Sequence, residues 1–306
     1  MITVVGSLNA DYVFRVQALP QPGETVLCPS YQILPGGKGA NQACAAARRG
    51  APVRMVGAVG NDTAADIVRR GLTQAGVDAE LLRLSEEPTG IAVIGVDRAG
   101  ENQIIVASGA NHDIDADALL RVDPALGEDD VLLCQNEILP EATHAALIAA
   151  KALGARTILN LAPAGPLPPE VLAAIDVLIV NLGEARATAR RLSGDAVELA
   201  GLLAQRHQLA CIVTEGGDGA VLAHRGRVVR ARPPAVTVVD TTGAGDTFCG
   251  VFAAASGLGV SLEEALRQAC CAGALACTRL GAQASQPSGD EIAGKLAAAP
   301  PLEHLR

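Results

Sequence analysis

The chain has 306 residues, 49% of them hydrophobic and 19% charged, enough to bury a large core. A net charge of -9, with no lysine- or arginine-rich tract, argues against a nucleic-acid or anionic-membrane surface. It leaves any phosphate site to backbone amides, one or two basic side chains and a metal. Aromatic residues are only 2%, with no Trp, so recognition of a sugar or a base falls to hydrogen bonds and aliphatic walls.

Ile2-Thr3-Val4-Val5-Gly6 reads as a strand with no charged and apolar leader ahead of it, and no apolar run is long enough to cross a membrane. Asp11–Leu34 follows with extended residues and turn signals at Pro20, Pro22-Gly23 and Pro29, but no helical period. A helix is predicted over Gln42–Arg48 and a strand over Val53–Val59. In Asp62–Ala75, apolar or small residues at Ala64, Ile67, Val68, Gly71, Leu72 and Ala75 share one helical face, with Asp62 as N-cap and Gly76 just past the end. Ile91–Val96 and Asn102–Ala107 read as two strands joined by the hairpin signal Asp97-Arg98-Ala99-Gly100. Further strands over Val131–Gln135, Thr157–Leu161, Val177–Val180 and Cys211–Thr214 alternate with helical patterns, among them Pro140–Leu153 and Glu184–Leu192. A buried helix is predicted over Cys249–Ala255, and the Ala/Pro-rich Ala297–Pro301 reads as a frayed terminus.

Continuous apolar strands separated by helices predict one α/β domain over 1–306, with a mainly parallel sheet flanked by helices on both faces. The segments at about 11–35 and 90–107 fit no strand–helix–strand unit and are expected to pair as a small β-sheet lid over one end of the main sheet. The eight cysteines, Cys28, Cys44, Cys134, Cys211, Cys249, Cys270, Cys271 and Cys277, form no C-x-x-C pair and mostly sit in apolar runs. Reduced thiols and a cytoplasmic location are expected. The five histidines are scattered, and the chain has neither a zinc-type Cys/His cluster nor a G-x-G-x-x-G after the first strand.

Five polar clusters fall just after predicted strands, where an open parallel sheet collects its ligands. Asn9 and Asp11 suit a polyol or an Asx turn. Gly36-Gly37-Lys38-Gly39-Ala40-Asn41 offers close backbone approach and two donors, or a plain turn; it is not a Walker A loop, because Gly39 stands where Ser or Thr would bind magnesium. Gln135-Asn136-Glu137 ends one strand, and Asn181-Leu182-Gly183-Glu184 follows another. The spacing of Asn181 and Glu184 serves either a hydrated Mg²⁺ or a capping box. Thr214-Glu215-Gly216-Gly217-Asp218-Gly219 is a hairpin loop or a phosphate cradle. The most informative stretch is Asp240-Thr241-Thr242-Gly243-Ala244-Gly245-Asp246-Thr247-Phe248, a glycine-flanked turn entering a helix with a carboxylate at the junction. A helix start holds anions, and a carboxylate there repels them unless it takes a proton from a hydroxyl attacking a phosphoryl group.

Gly36-Gly37-Lys38-Gly39-Ala40-Asn41-Gln42-Ala43 and Asp240 to Phe248 together resemble the two signatures of the ribokinase-like (PfkB) sugar kinases, a likeness that runs essentially from residue 1 to residue 295. The resemblance implies ATP-dependent phosphorylation of D-ribose at O5, or of a related substrate such as 2-deoxyribose, fructose or a nucleoside; a non-catalytic sugar sensor is the reading from another class. It places the sugar on Asn9, Asp11, Gly37, Lys38, Asn41 and Glu137, with Asp246 as general base and Gly243, Ala244 and Gly245 as anion hole. ATP falls to Asn181, Thr214, Gly216, Gly219 and Gly245, and Mg²⁺ to Glu184 through water. K⁺ falls to the Asp240 and Ser285 side chains and the carbonyls of Thr242, Ala276, Arg279 and Gly281. The lid is expected to form a homodimer. Cys270 departs from the polar or imidazole contact to adenine that such enzymes often carry there, and Leu280 from a basic residue.

Overall fold

A computed structural model describes residues 1–114, 117, 119 and 125–305. The main sheet has ten strands. Seven run parallel: β1 (Ile2–Val5), β4 (Val53–Val59), β5 (Leu82–Leu84), β8 (Val131–Gln135), β9 (Arg156–Asn160), β10 (Val177–Asn181) and β11 (Ala210–Thr214). β12 (Ala220–His224), β13 (Arg227–Ala231) and β14 (Glu303–His304) extend it antiparallel, in the order β14-β13-β12-β11-β10-β9-β8-β1-β4-β5. Strand order reverses between β1 and β8, which opens a crevice beyond their carboxyl ends.

Alternation along each strand feeds two cores. Val177 and Ile179 point to one, Leu178 and Val180 to the other, so these central strands read as uninterrupted apolar runs. The first core is covered by α1 (Lys38–Arg48), α2 (Thr63–Ala75), α7 (Ala244–Gly257) and α8 (Leu262–Ala276). The second is covered by α3 (Pro140–Ala152), α4 (Pro169–Ala173), α5 (Leu182–Ala189) and α6 (Ala196–His207). A last helix, α9 (Gly289–Leu296), packs against α8. α2 is capped as its sequence predicts: Asp62 accepts from the Ala65 N–H, and Gly76 takes the left-handed conformation.

A second sheet of four strands joins β2 (Asn9–Arg15), β3 (Tyr31–Gly36), β6 (Gly90–Val96) and β7 (Asn102–Ala107) in the order β3-β2-β6-β7. It pairs the two segments that fit no strand–helix–strand unit.

Three differences from the sequence reading bear on the site or the chain end, beside smaller shifts such as α5 at Leu182–Ala189 rather than Glu184–Leu192. α1 starts four residues earlier than expected and α7 five earlier, so Lys38, Asn41 and Asp246 are helical rather than loop residues. Each glycine-rich signature reads as a turn but is the first turn of a helix. The chain end is not frayed: Glu303–His304 pairs with β13, the Leu305 N–H donates to the Val228 carbonyl (2.8 Å), and Leu302 packs on the core.

α7 lies between α1 and α8 and approaches α1 closely. A Cβ on Gly250 would stand 2.3 Å from the Gln42 carbonyl oxygen and 2.7 Å from the Ala45 Cβ. Opposite it, Ala45 and Ala46 keep the α1 surface small. Gly250→Val therefore overpacks this contact. We expect a loss of ~1–3 kcal/mol in chemical denaturation and a parallel loss of activity from displacement of Asp246 against α1; unchanged stability would contradict the packing argument.

Candidate active site

The N-terminus of α1 is fitted into the β1–β8 crevice. A Cβ on Gly37 would lie 2.8 Å from the Ser7 carbonyl oxygen, and one on Gly39 2.6 Å from the Ser7 nitrogen; Gly37 also has φ of 86°. Glu137, just past β8, is held here by three donors. The Ser7 hydroxyl gives Oε2 a bond of 2.7 Å, the Lys38 N–H gives it one of 3.1 Å, and the Lys38 ammonium stands 3.8 Å from Oε1. A carboxylate at a helix N-terminus is favoured by the unpaired amides and by the macrodipole.

Asp246 occupies the first turn of α7 and is 8% exposed. Asn41 Nδ2 donates to Oδ2 and Gln42 Nε2 to Oδ1, both at 3.0 Å. Gly243 begins the turn with φ of 73° and lies against Ala282, where a Cβ would come within 2.8 Å. The Ala244 N–H donates to the Thr241 carbonyl (3.2 Å), and the Thr247 N–H to that of Gly243 (2.8 Å). Among the described residues the Gly245 and Asp246 amides have no acceptor, and Gly245 is exposed with open space at its Cα. The helix thus presents free N–H groups to an anion beside a carboxylate.

Asp11 on β2 faces the same place; a Cβ on Gly36 would fall 2.0 Å from its carboxylate. Burial, then the nearby charges of Glu137 and Asp246, push Asp11 up to about 7 against the pull of Lys38. Asp246 and Glu137 in turn raise Lys38 against the opposing effect of burial. Asn9 is buried, and its Oδ1 accepts from Asn111 Nδ2 at 2.8 Å; Asn111 is itself fixed by the Leu8 backbone. Asn9, Asp11, Gly37, Lys38, Asn41, Glu137 and Asp246 therefore line one end of the sheet.

A second group lies beyond β10 and β11, where Asn181 and Thr214 are register neighbours. Asn181 and Glu184 form a capping box, both bonds 2.8 Å, which uses Glu184 Oε2 and leaves Oε1 without a protein partner among the described residues. Burial raises Glu184, while the Asn181 amide and Lys38 lower it, so its carboxylate senses the first group. Thr214 to Gly219 is the β11–β12 hairpin, whose Gly219 has φ of 96° and no room for a Cβ beside the Ala231 carbonyl. Cys270 is buried, its thiol turned to the Ala231 carbonyl (3.5 Å) and pushed up to about 12 by burial.

Of the residues expected to hold a monovalent cation, Asp240, Thr242 and Gly281 are brought into contact. Asp240 accepts from the Gly281 N–H (2.9 Å) and from the Thr242 N–H and hydroxyl, and Cys277 accepts from the Val239 and Asp240 amides. Burial opposes ionisation of Asp240, but these bonds outweigh it and hold the carboxyl below its ordinary value. Ser285 is fully buried, with its hydroxyl on the Ala282 carbonyl, while Ala276 receives the Arg279 N–H and the Arg279 side chain pairs with Glu291.

Sequence reasoning gave no role to Ser7, Asn111 or Gln283, and none to Gln42 beyond its place in the motif. Gln283 Nε2 donates to Asn41 Oδ1 at 3.1 Å, which ties the 281–286 segment to the site. Gln42 stands inside a recognised motif, but no spacing rule shows that its amide turns inward.

The family model for pfkB family carbohydrate kinases matches residues 1–289, and the chain belongs to that family. The ribokinase of Haemophilus influenzae is 36% identical over 95% of this chain and 96% of its own, and that of Bacillus subtilis 36% identical over 95% and 97%. The structure of Arabidopsis thaliana ribokinase complexed with ribose and ATP superposes with a TM-score of 0.86 at 34% identity, covering 96% of this chain and 98% of that one.

A raised Asp11 binds more protons in the folded state than in the unfolded one between pH 4 and 7. Its contribution to stability is therefore complete below about pH 4 and is lost as pH rises through about 7. The neutral variant Asp11→Asn should melt higher than the wild type at pH 8, and the gap should close towards pH 5. A pH-independent gap would contradict this.

Proposed function

We propose that the chain transfers the γ-phosphoryl group of ATP to the O5 hydroxyl of D-ribose, giving D-ribose 5-phosphate and ADP. The observation that carries this reading is Asp246 at the first turn of α7, beside the free amides of Gly245 and Asp246 and within reach of Lys38 and Asp11. The full-length likeness to ribokinases, one of them in complex with ribose and ATP, selects the sugar.

Asn9, Asp11, Gly37, Lys38, Asn41 and Glu137 bind the pentose, whose hydroxyls supply donors to three crowded carboxylates. A carboxylate is too weak a base to ionise an alcohol in the ground state. Asp246 instead accepts the O5 proton as the O–P bond forms and the bond to the ADP oxygen breaks. Charge on the equatorial oxygens is met by N–H groups at Gly243 to Gly245, of which that of Gly245 is already free among the described residues. The Ala244 amide must leave the Thr241 carbonyl to join them. Asn181, Thr214, Gly216 and Gly219 hold the nucleotide.

Glu184 keeps Oε1 free and lies within reach of Lys38, which fits a water-held Mg²⁺ that neutralises phosphate charge when bound. The all-oxygen set of Asp240, Ser285 and the carbonyls of Thr242, Ala276, Arg279 and Gly281 fits K⁺, which when bound stiffens the turn that carries Gly243. The four-stranded sheet serves as a lid that excludes water. Its edge strands β3 and β7 expose Tyr31, Ile104, Ile105 and Val106, and Ile105 is 72% exposed. A second copy of the chain covers this face.

Asp246→Asn should lower kcat by on the order of a hundredfold or more with ribose binding retained. ADP release over a panel of ribose, 2-deoxyribose, fructose and nucleosides should favour ribose. Near-normal turnover of the variant, or preference for another acceptor, would refute the base or the substrate. Ile105→Lys should turn a dimer into a monomer in sedimentation; a wild type that sediments as a monomer would refute the lid interface.

A further inference from the structure

Asp246 lies near the charge of Lys38, but no cation is hydrogen-bonded to it among the described residues. Both of its oxygens accept from neutral amides, and one of these belongs to a buried series whose direction is set by the backbone. The Ile179 carbonyl on β10 can only accept, and Asn160 Nδ2 lies 3.2 Å from it. Asn160 must therefore turn Oδ1 the other way, where Gln42 Nε2 donates to it at 3.0 Å. The same Gln42 nitrogen donates to Asp246 Oδ1 at 3.0 Å, so each of its two hydrogens has an acceptor. Gln42 Oε1 is pinned from behind by Gln135 Nε2 at 2.8 Å. Gln42 and Gln135 are both fully buried.

We propose that Gln42, oriented by Asn160 and Gln135, is the positioning residue of the phosphoryl-transfer base. It aims Asp246 and, because it presents only a donor to Oδ1, keeps that oxygen an acceptor. The proposal rests on the reading of Asp246 as base. A reversed Gln42 amide would face the carboxylate with an oxygen and lose the Asn160 bond as well, so the series has one stable direction.

The charged and titratable groups that act on Asp246 are Lys38 on α1, Asp11 on β2 and Cys249 on α7; Glu137 past β8 and Glu184 on α5 act on Lys38. None is changed by Gln135→Leu, so a shift in the acid limb of kcat in that variant reports the amide bond itself, whereas Gln42→Glu also adds a titratable group of its own beside Asp246. A donor to the carboxylate lowers its pKa, so weakening that bond moves the limb to higher pH.

Gln42→Glu keeps the shape but sets a second carboxyl against Asp246. The acid limb of kcat for ribose should rise by about one pH unit or more, with kcat at pH 7 down on the order of tenfold and KM for ribose little changed. Gln135→Leu removes only the pin behind Gln42, together with an Oε1 atom that has no protein partner. It should fold and move the limb the same way by a smaller amount. A purely structural role would lower the melting temperature and leave the limb in place. If either folded variant keeps the wild-type limb while Asp246→Asn is inactive, the positioning role is overturned. If Asp246→Asn itself turns over normally, the underlying base assignment fails instead.

Discussion

The close approach of α1 to α7 is the constraint on which the site depends. Gly250 meets the Gln42 carbonyl, and the facing alanines of α1 leave no side chain to hold the helices apart. Because the axes come close, two consecutive residues of α1, Asn41 and Gln42, reach the carboxylate at the start of α7. A side chain any larger at 250 would separate the helices, and a carboxylate fixed by two bonds of 3.0 Å tolerates little displacement.

The site gathers three carboxylates, Asp11, Glu137 and Asp246, around one lysine. Each is managed differently. Glu137 is spent on the α1 N-terminus and the Ser7 hydroxyl, which makes it a strut as well as an acceptor. Asp246 lies near Lys38 but is oriented by the neutral amides of Asn41 and Gln42. Asp11 has no such donors among the described residues, and burial with the neighbouring carboxylates raises its pKa. On the proposed reading a polyol would relieve the crowding because every hydroxyl brings a donor, and the nucleotide's charge would fall to the α7 start and the glycine loops. A chain with net charge -9 can thus bind a nucleoside triphosphate without a basic patch.

Much of the fold was legible in the sequence. Val53–Val59 and Val131–Gln135 coincide with β4 and β8, and the α2 caps follow from Asp62 and Gly76. Those segments obey local rules of periodicity and capping. The starts of α1 and α7 did not, because glycines that read as loop are glycines that let a helix end press against a strand end. The C-terminal strand was invisible for the opposite reason: it forms only because β13 offers an unpaired edge. Asp246, Asp11 and Lys38 were legible from motif chemistry, whereas Ser7, Asn111 and Gln283 act through tertiary hydrogen bonds that no spacing encodes.

The account turns on where a sugar hydroxyl meets Asp246. A crystal structure of the protein with D-ribose and a non-hydrolysable ATP analogue measures this directly. It should show the O5 hydroxyl within about 3 Å of an Asp246 oxygen and in line with the terminal phosphorus, the carboxylate still bonded to Asn41 and Gln42. A carboxylate turned into the protein, or an O5 hydroxyl beyond hydrogen-bond reach of it, would contradict the account.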